Sequence, residues 1–209
     1  MSGANTHKLP RDPTKRRIIM NIELFRLINN LAYKNTLTDS VMIIFSKYVP
    51  YAFMMIVAVV YLLGILQKNS EYRKAAFSTF IFTVINLILS FLIGSIYYVD
   101  RPFVHNKVNL LVPHTSDASF PSDHATGTMS IALGLKINKK ALNIVLTVLS
   151  LIVGFSRVYV GNHYPLDVIG AYVIVALTNY IYNLKLRAKI ESIYEAVEEK
   201  ASARLGIEN

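Results

Sequence analysis

Five apolar runs dominate the chain: 51–66 (YAFMMIVAVVYLLGIL), 75–99 (AAFSTFIFTVINLILSFLIGSIYYV), 125–137, 141–155 (ALNIVLTVLSLIVGF) and 166–184 (LDVIGAYVIVALTNYIYNL). Several approach the roughly 20 residues that carry a helix across a bilayer, and none alternates as a barrel strand does. The run 125–137 extends back to Ser122. A shorter run, 36–49 (TLTDSVMIIFSKYV), ends at Pro50 and reads as a sixth span hairpinned onto the next, although about 14 residues rise only about 21 Å. Residues 21–33 space Ile22, Phe25, Ile28, Leu31 and Ala32 at helical intervals, the pattern of an interfacial helix. Residues 186–201 repeat it with Leu186, Ile190, Ile193, Tyr194 and Val197, with acids opposite. The pattern predicts an all-α, polytopic membrane helix bundle. Residues 1–35 form a basic tail and interfacial helix, 36–184 the transmembrane domain and 185–209 a C-terminal amphipathic tail.

Composition supports a membrane setting. Of 209 residues, 53% are hydrophobic and only 17% charged, against about 25% charged in a soluble domain. The absence of cysteine excludes disulfides, thiolate catalysis and cysteine-ligated metals. A net charge of +9 would suit nucleic acid, but where the charge lies matters more than its sum. Grouping the N-terminal tail, the 67–74 and 136–140 loops and the C-terminal tail on one side places 18 of the 22 basic residues there, leaving Lys47, Arg101, Lys107 and Arg157 opposite. The positive-inside rule makes the first side cytoplasmic. Both termini on that side require an even number of spans, hence six. Nucleic acid is thereby not an expected partner, and the oligomeric state is left open. Residues 1–19 lack the apolar core of a signal peptide, and MNIELF at residue 20 looks like a second start.

This topology gathers three polar clusters on the outer face: VDRPF (99–103), ASFPSDHATG (118–127) and FSRVYVGNHYPLDV (155–168). Charges at the centre of a span cost about 2.5–3.5 kcal/mol each, so a water boundary is the natural place for them. Arg101 and Arg157 offer planar forks of donors suited to phosphate. Ser122, Asp123 and His124 open a helical run whose N–H groups and dipole favour an anion. His163 precedes Asp167 by four residues, so the carboxylate can take one imidazole N–H and leave the other nitrogen free to attack. His124 can protonate a leaving oxygen. Blander readings exist: Arg157 as a snorkelling side chain, Asp167 as a helix-start acid, His105 and His114 as loop residues, Asp39 as structural. A zinc site from His124, His163 and Asp167 lacks local His-x-x-x-His pairing, and two arginines oppose a cation. No metal and no other cofactor is expected.

These residues resemble the type 2 phosphatidic acid phosphatase family, whose signature runs Lys-x6-Arg-Pro, Pro-Ser-Gly-His and Ser-Arg-x5-His-x3-Asp. The third part is complete here in Ser156, Arg157, His163 and Asp167. The second reads Pro121-Ser122-Asp123-His124, with Asp for Gly; the first keeps Arg101-Pro102 but has Gly94 at the lysine position. The resemblance implies a phosphohistidine formed on His163, oriented by Asp167, with His124 as general acid. It implies that Arg101, Ser122, Asp123 (through its backbone) and Arg157 bind phosphate, and that no metal is needed. With the lysine absent, Lys107 is a candidate substitute. RPFV and PHTSDASFPSDHATG are similar to the bacterial undecaprenyl-diphosphatases of the bacitracin-resistance type. That branch implies hydrolysis of undecaprenyl diphosphate to the monophosphate and inorganic phosphate, on the extracytoplasmic face, amid membrane lipids. Alternatives are a phosphatase of phosphatidylglycerophosphate or phosphatidate, or a membrane permease subunit.

Overall fold

The structure is a computed structural model that describes residues 12–137 and 139–205. The expected tail over residues 1–11 and the last four residues lie outside the described residues. Helices are α1 (Pro13–Asn29), α2 (Thr36–Lys47), α3 (Val49–Leu66), α4 (Ser70–Ile96), the single turn α5 (Pro102–His105), α6 (Asp123–Gly134), α7 (Lys140–Tyr159), α8 (Pro165–Lys185) and α9 (Arg187–Leu205). Their ends follow from local chemistry. The Asn35 side chain accepts from Thr38 N and caps α2, and Asn69 accepts from Tyr72 N and caps α4. Proline opens α5 and α8 and lies within the first two residues of α3, where its missing N–H costs nothing.

Four helices, α3, α4, α7 and α8, are long and apolar enough to cross a membrane. At 27 residues, α4 is about 40 Å long, so its first turn, with Arg73 and Lys74, overshoots a hydrocarbon core of about 30 Å. The central helix α6 has only 12 residues and packs against α3, α4, α7 and α8. Its buried Ala125, Thr126, Thr128, Ser130, Ala132 and Gly134 let neighbouring backbones come close. The bundle has an apolar core threaded by polar pairs and an oily outer surface. Within it, Ser78 meets Tyr182 at 2.9 Å, Thr128 meets Ser150 at 2.8 Å, and Thr178 donates to Asn86 at 2.6 Å. Phe80, Phe91, Val148, Leu151, Val173 and Leu177 face outward on the spans. Such a surface suits lipid, not water, and the chain is an all-α membrane bundle.

Among the described residues, the helices do not make the expected six crossings. Two corrections follow from side-chain contacts. At the start of α2, Asp39 accepts from Tyr159 Oη at 2.8 Å; near its end, Ser46 Oγ accepts from Arg157 at 2.7 Å. Both partners belong to the last turns of α7, so α2 stays at that end and residues 36–49 are not a span. The helix α1 also lies there: Asn21 accepts from Leu166 N, Phe25 packs edge-on to Tyr164 at 5.5 Å, and Asn29 donates to Tyr159 O at 2.9 Å. Five helices, α3, α4, α6, α7 and α8, run between the two ends. The helix α9 sits at the opposite end, where Arg73 and Lys74 of α4 meet Glu198 and Glu195. Lys15, Arg16, Arg17, Arg26 and Lys34 therefore leave the side to which the charge count assigned them. An amphipathic helix fits either interface, so counting lysines and arginines could not place it.

Candidate active site

The site is assembled at the end of the bundle where α4, α7 and the N-termini of α6 and α8 meet. Its most local part is the turn from α7 to α8. After Arg157 the chain folds back, and the N–H groups of Asn162 and His163 both donate to Arg157 O, at 3.0 and 3.3 Å. Five intervening residues thus bring arginine and histidine together. The reversal needs Gly161 at φ +91°, where any Cβ would lie 2.9 Å from Asn109 O. Two hydrogen bonds then close a reciprocal cap on α8. Tyr164 N donates to Asp167 Oδ2 at 2.8 Å, and Asp167 N to Tyr164 O at 3.0 Å, which fixes the carboxylate. Ser122 N donates to Asp167 O at 3.2 Å and locks the start of α6 onto the start of α8.

His163 is 1% exposed and Asp167 is 2% exposed. The sequence predicts a direct contact between them, but the structure interposes Ser119. His163 Nδ1 lies 2.9 Å from Ser119 O and 3.6 Å from Asp167 Oδ2, while Ser119 Oγ donates to that same oxygen at 2.5 Å. The carbonyl can only accept, so Nδ1 carries the proton and Nε2 the lone pair. Arg101 Nη1 stands 3.0 Å from Nε2 and also donates to Asn162 O at 3.1 Å. Burial, then the positive charges of Arg101 and Arg157, hold the imidazole well below its ordinary range. The ring is neutral, with its Nε2 lone pair turned toward Arg101.

Both arginines are sunk into the protein, at 3% exposure for Arg101 and 1% for Arg157. Arg101 Nε donates to the half-exposed Asp117 at 2.7 Å. Burial pushes the Asp117 carboxyl up, but the Arg101 hydrogen bond and charge outweigh it and the net shift is downward. Arg157 reaches only neutral groups. Its Nη1 donates to Ser46, and its Nη2 donates to Asn162 Oδ1 at 3.2 Å with the Asn162 amide set to satisfy both of its ends. Arg157 Nε, Ser122 Oγ and Thr126 Oγ1 are buried with no hydrogen-bond partner. Leaving a buried donor unmet costs about 1–3 kcal/mol each. An anion with several oxygens would relieve all three, and Thr126 lies one turn beyond Ser122 on the same helix.

The remaining predicted residues divide. The His124 ring lies 6.5 Å from that of His114, which is itself 6.5 Å from His163. The exposed Asp123 side chain turns to α4, where Oδ1 accepts from Ser90 Oγ at 2.7 Å, leaving its backbone as the part directed toward the helix start. Lys107 lines a separate surface cleft with Arg26, Asn30 and Asn109. His105 pairs with Asp100 at 2.9 Å. Asp39 holds Tyr33, at φ +64°, and Tyr159, as a structural residue would. Sequence reasoning missed His114, Asp117, Ser119 and Thr126. The density of polar residues in PHTSDASFPSDHAT was the available signal. Among the described residues no three His, Asp or Glu side chains cluster as a metal site.

A family model, the PAP2 superfamily, matches residues 71–189, more than half of the chain and every part of this pocket supplied by α4 to α8. The chain belongs to the PAP2 superfamily. This PAP2 protein is 34% identical over 191 residues to undecaprenyl-diphosphatase BcrC of Bacillus subtilis (strain 168), covering 88% of this chain and 97% of that one. It is 33% identical over 187 residues to the bacitracin transport permease protein BcrC of Bacillus licheniformis, covering 87% and 90%. Among solved structures, the crystal structure of Aquifex aeolicus LpxE matches with a TM-score of 0.64 and 27% identity, over 78% of this chain and 93% of that one.

Proposed function

We propose that this PAP2 protein hydrolyses undecaprenyl diphosphate to undecaprenyl phosphate and inorganic phosphate through a phosphohistidine on His163. The observation that carries the reading is a pair of buried guanidiniums around a neutral histidine, with Arg157 Nε and two hydroxyls still awaiting acceptors. The likeness to an undecaprenyl-diphosphatase over nearly the whole chain supports the substrate. The terminal phosphate enters by drawing Arg101 Nη1 off His163 Nε2. The Nε2 lone pair then attacks the terminal phosphorus, and the bond from that phosphorus to the bridging oxygen breaks. His124 gives its proton to that oxygen, and the lipid monophosphate leaves. Water next attacks the phosphohistidine, returns a proton to His124 and releases inorganic phosphate as the P–N bond breaks. Throughout, Ser119 O holds the Nδ1 proton, and Asp167 holds Ser119. Arg101, Arg157, Ser122, Thr126 and the first N–H groups of α6 take the phosphoryl oxygens, the largest electrostatic contribution such a site makes.

The pocket faces the extracytoplasmic side in this reading. The short connections at the far end hold Lys68, Lys136 and Lys139, and α9 adds Arg187, Lys189 and Lys200. The site-end connections 97–122 and 160–164 contribute only the buried Arg101 and Lys107, but α1, α2 and the turn between them add Lys15, Arg16, Arg17, Arg26, Lys34 and Lys47 at that same end. The orientation therefore rests on the proposed substrate and not on a charge count. The deciding experiment is phosphate release by purified protein in detergent with excess chelator, from undecaprenyl diphosphate and from phosphatidylglycerophosphate. Faster release from the polyprenyl substrate is expected. Preference for the glycerolipid would move the function to phospholipid synthesis, and release from neither by folded protein would leave a permease role.

A further inference from the structure

The segment that brings Ser119 to the site also fills the place of a residue that the family signature has and this chain lacks. A Cβ on Gly94 would come within 3.1 Å of Phe120 O and 3.2 Å of the Ala118 Cβ. A lysine there would need the 118–120 segment to give way slightly. Instead that segment crosses α4, Ser119 N donating to Val99 O at 2.8 Å, and the loop before it carries His114 over the pocket. Among the described residues, His114 is the one other histidine ring beside both His124 and His163, with centroids 6.5 Å from each. We propose that His114 binds the second phosphate of a diphosphate substrate and so distinguishes a diphosphate from a monophosphate.

The geometry gives the ring a defined direction. His114 Nδ1 lies 3.1 Å from Thr115 O and 3.6 Å from Asp117 Oδ1, two acceptors, so the proton sits on Nδ1 and Nε2 is left for a ligand. Burial comes first, then Arg101, and together they lower the His114 pKa and keep the ring neutral. A diphosphate adds negative charge beside it, which favours a proton on Nε2, and Asp117 behind Nδ1 supports the resulting cation. The placement fits the order of the reaction. With His163 attacking the terminal phosphorus and His124 meeting the bridging oxygen, the His114 ring, 6.5 Å from both, stands near enough to take the free oxygens of the departing phosphate. A monophosphate ester has nothing to offer there. A histidine that is neutral until the substrate arrives also avoids adding a third fixed positive charge to two buried guanidiniums.

This inference rests on the diphosphatase reading, and its test separates the two. Wild-type, His114→Gln and His114→Lys proteins would be assayed on farnesyl diphosphate and farnesyl monophosphate, which share one tail and differ only in the second phosphate. Folding would be checked by melting temperature and elution volume. His114→Gln should lose roughly 10–100-fold in kcat/KM on the diphosphate, the worth of one hydrogen bond to a charged group. It should stay within about threefold on the monophosphate. His114→Lys should restore much of the diphosphate preference. Equal losses on both substrates, or no loss on either, would overturn the role of His114. Wild-type protein that favours the monophosphate would instead overturn the diphosphatase reading beneath it. Should the glutamine variant prove unstable, a folded lysine variant without preference for the diphosphate overturns the inference by itself.

Discussion

The two ends of the bundle each bury arginine, and they treat it in opposite ways. At the far end, Arg73 is 8% exposed and saturated: Nε and Nη2 donate to Glu198 at 2.6 and 3.2 Å, and Nη1 to Gly64 O at 2.9 Å. Beside it, Lys74 sits between Glu71 and Glu195, both at 2.7 Å. At the site end, Arg157 is more deeply buried yet meets only neutral oxygens and leaves Nε unmet. One end uses its charges to fasten α9 to α4, so its donors are spoken for. In the proposed function the other holds its charges in reserve for a ligand, and its unmet donor supports that reading. Burial alone would not have told them apart. Partner chemistry does.

The largest expected effect removes the attacking atom. His163→Ala should lower turnover by at least about three orders of magnitude, the scale seen when a nucleophile is deleted, while the protein still inserts and elutes as the wild type does. Single-turnover phosphate release checks it, and full activity would end the nucleophile assignment. A sharper use of the comparison is a matched pair. Arg157→Ala should cost roughly 10²–10³-fold in kcat, as loss of one preorganised oxyanion donor does, with melting temperature unchanged or raised because an unpaired buried charge has gone. Arg73→Ala should do the reverse. It orphans Glu198 and lowers melting by roughly 5–10 °C, on the order of 2–3 kcal/mol at this chain length, with turnover within about threefold. If the two variants behaved alike, the division between fastening and reserve charges would fail.

Much of this was legible in the sequence because it was local. Apolar runs gave α3, α4, α7 and α8 to within a few residues, since hydrocarbon demands length and hydrophobicity of the segment itself. The trio Arg157, His163 and Asp167 was readable because one turn and one helix cap bring them together, both encoded within eleven residues. What was hidden depends on contacts across the fold. Asp167 was expected to touch His163 directly, and nothing local announces that Ser119, 48 positions earlier in the chain, comes between them. His114 looked like a loop residue because only the fold gathers the His124 and His163 rings around it. The placement of α1 and α2 failed for another reason. A hydrophobic pattern says that a helix lies on an interface, while the choice of interface was made by specific bonds such as Asn29 to Tyr159 O and Asp39 to Tyr159 Oη.

The smallest expected effect concerns stability against pH, and it follows from the same contrast. At the site end His163 is buried neutral, its pKa far below the ordinary value, and His114 is lowered as well, with burial the leading cause for both. In the unfolded chain each would titrate near pH 6.5. Between that value and the lowered folded values, the unfolded state binds more protons than the native one, so stability falls as the pH drops below about 6.5. Each histidine would contribute up to about 1.4 kcal/mol per pH unit in that window. The far-end pairs of α4 and α9 contain no histidine, so they add no such penalty. Melting curves in detergent from pH 7.5 to 5.5 should therefore slope downward for the wild type. They should flatten in part for His163→Gln, which has no proton to gain, and keep the wild-type slope for Arg73→Ala, whatever its absolute melting temperature. A slope unchanged in His163→Gln would mean that the buried ring is already charged in the folded protein, and a charged ring has no lone pair with which to attack phosphorus.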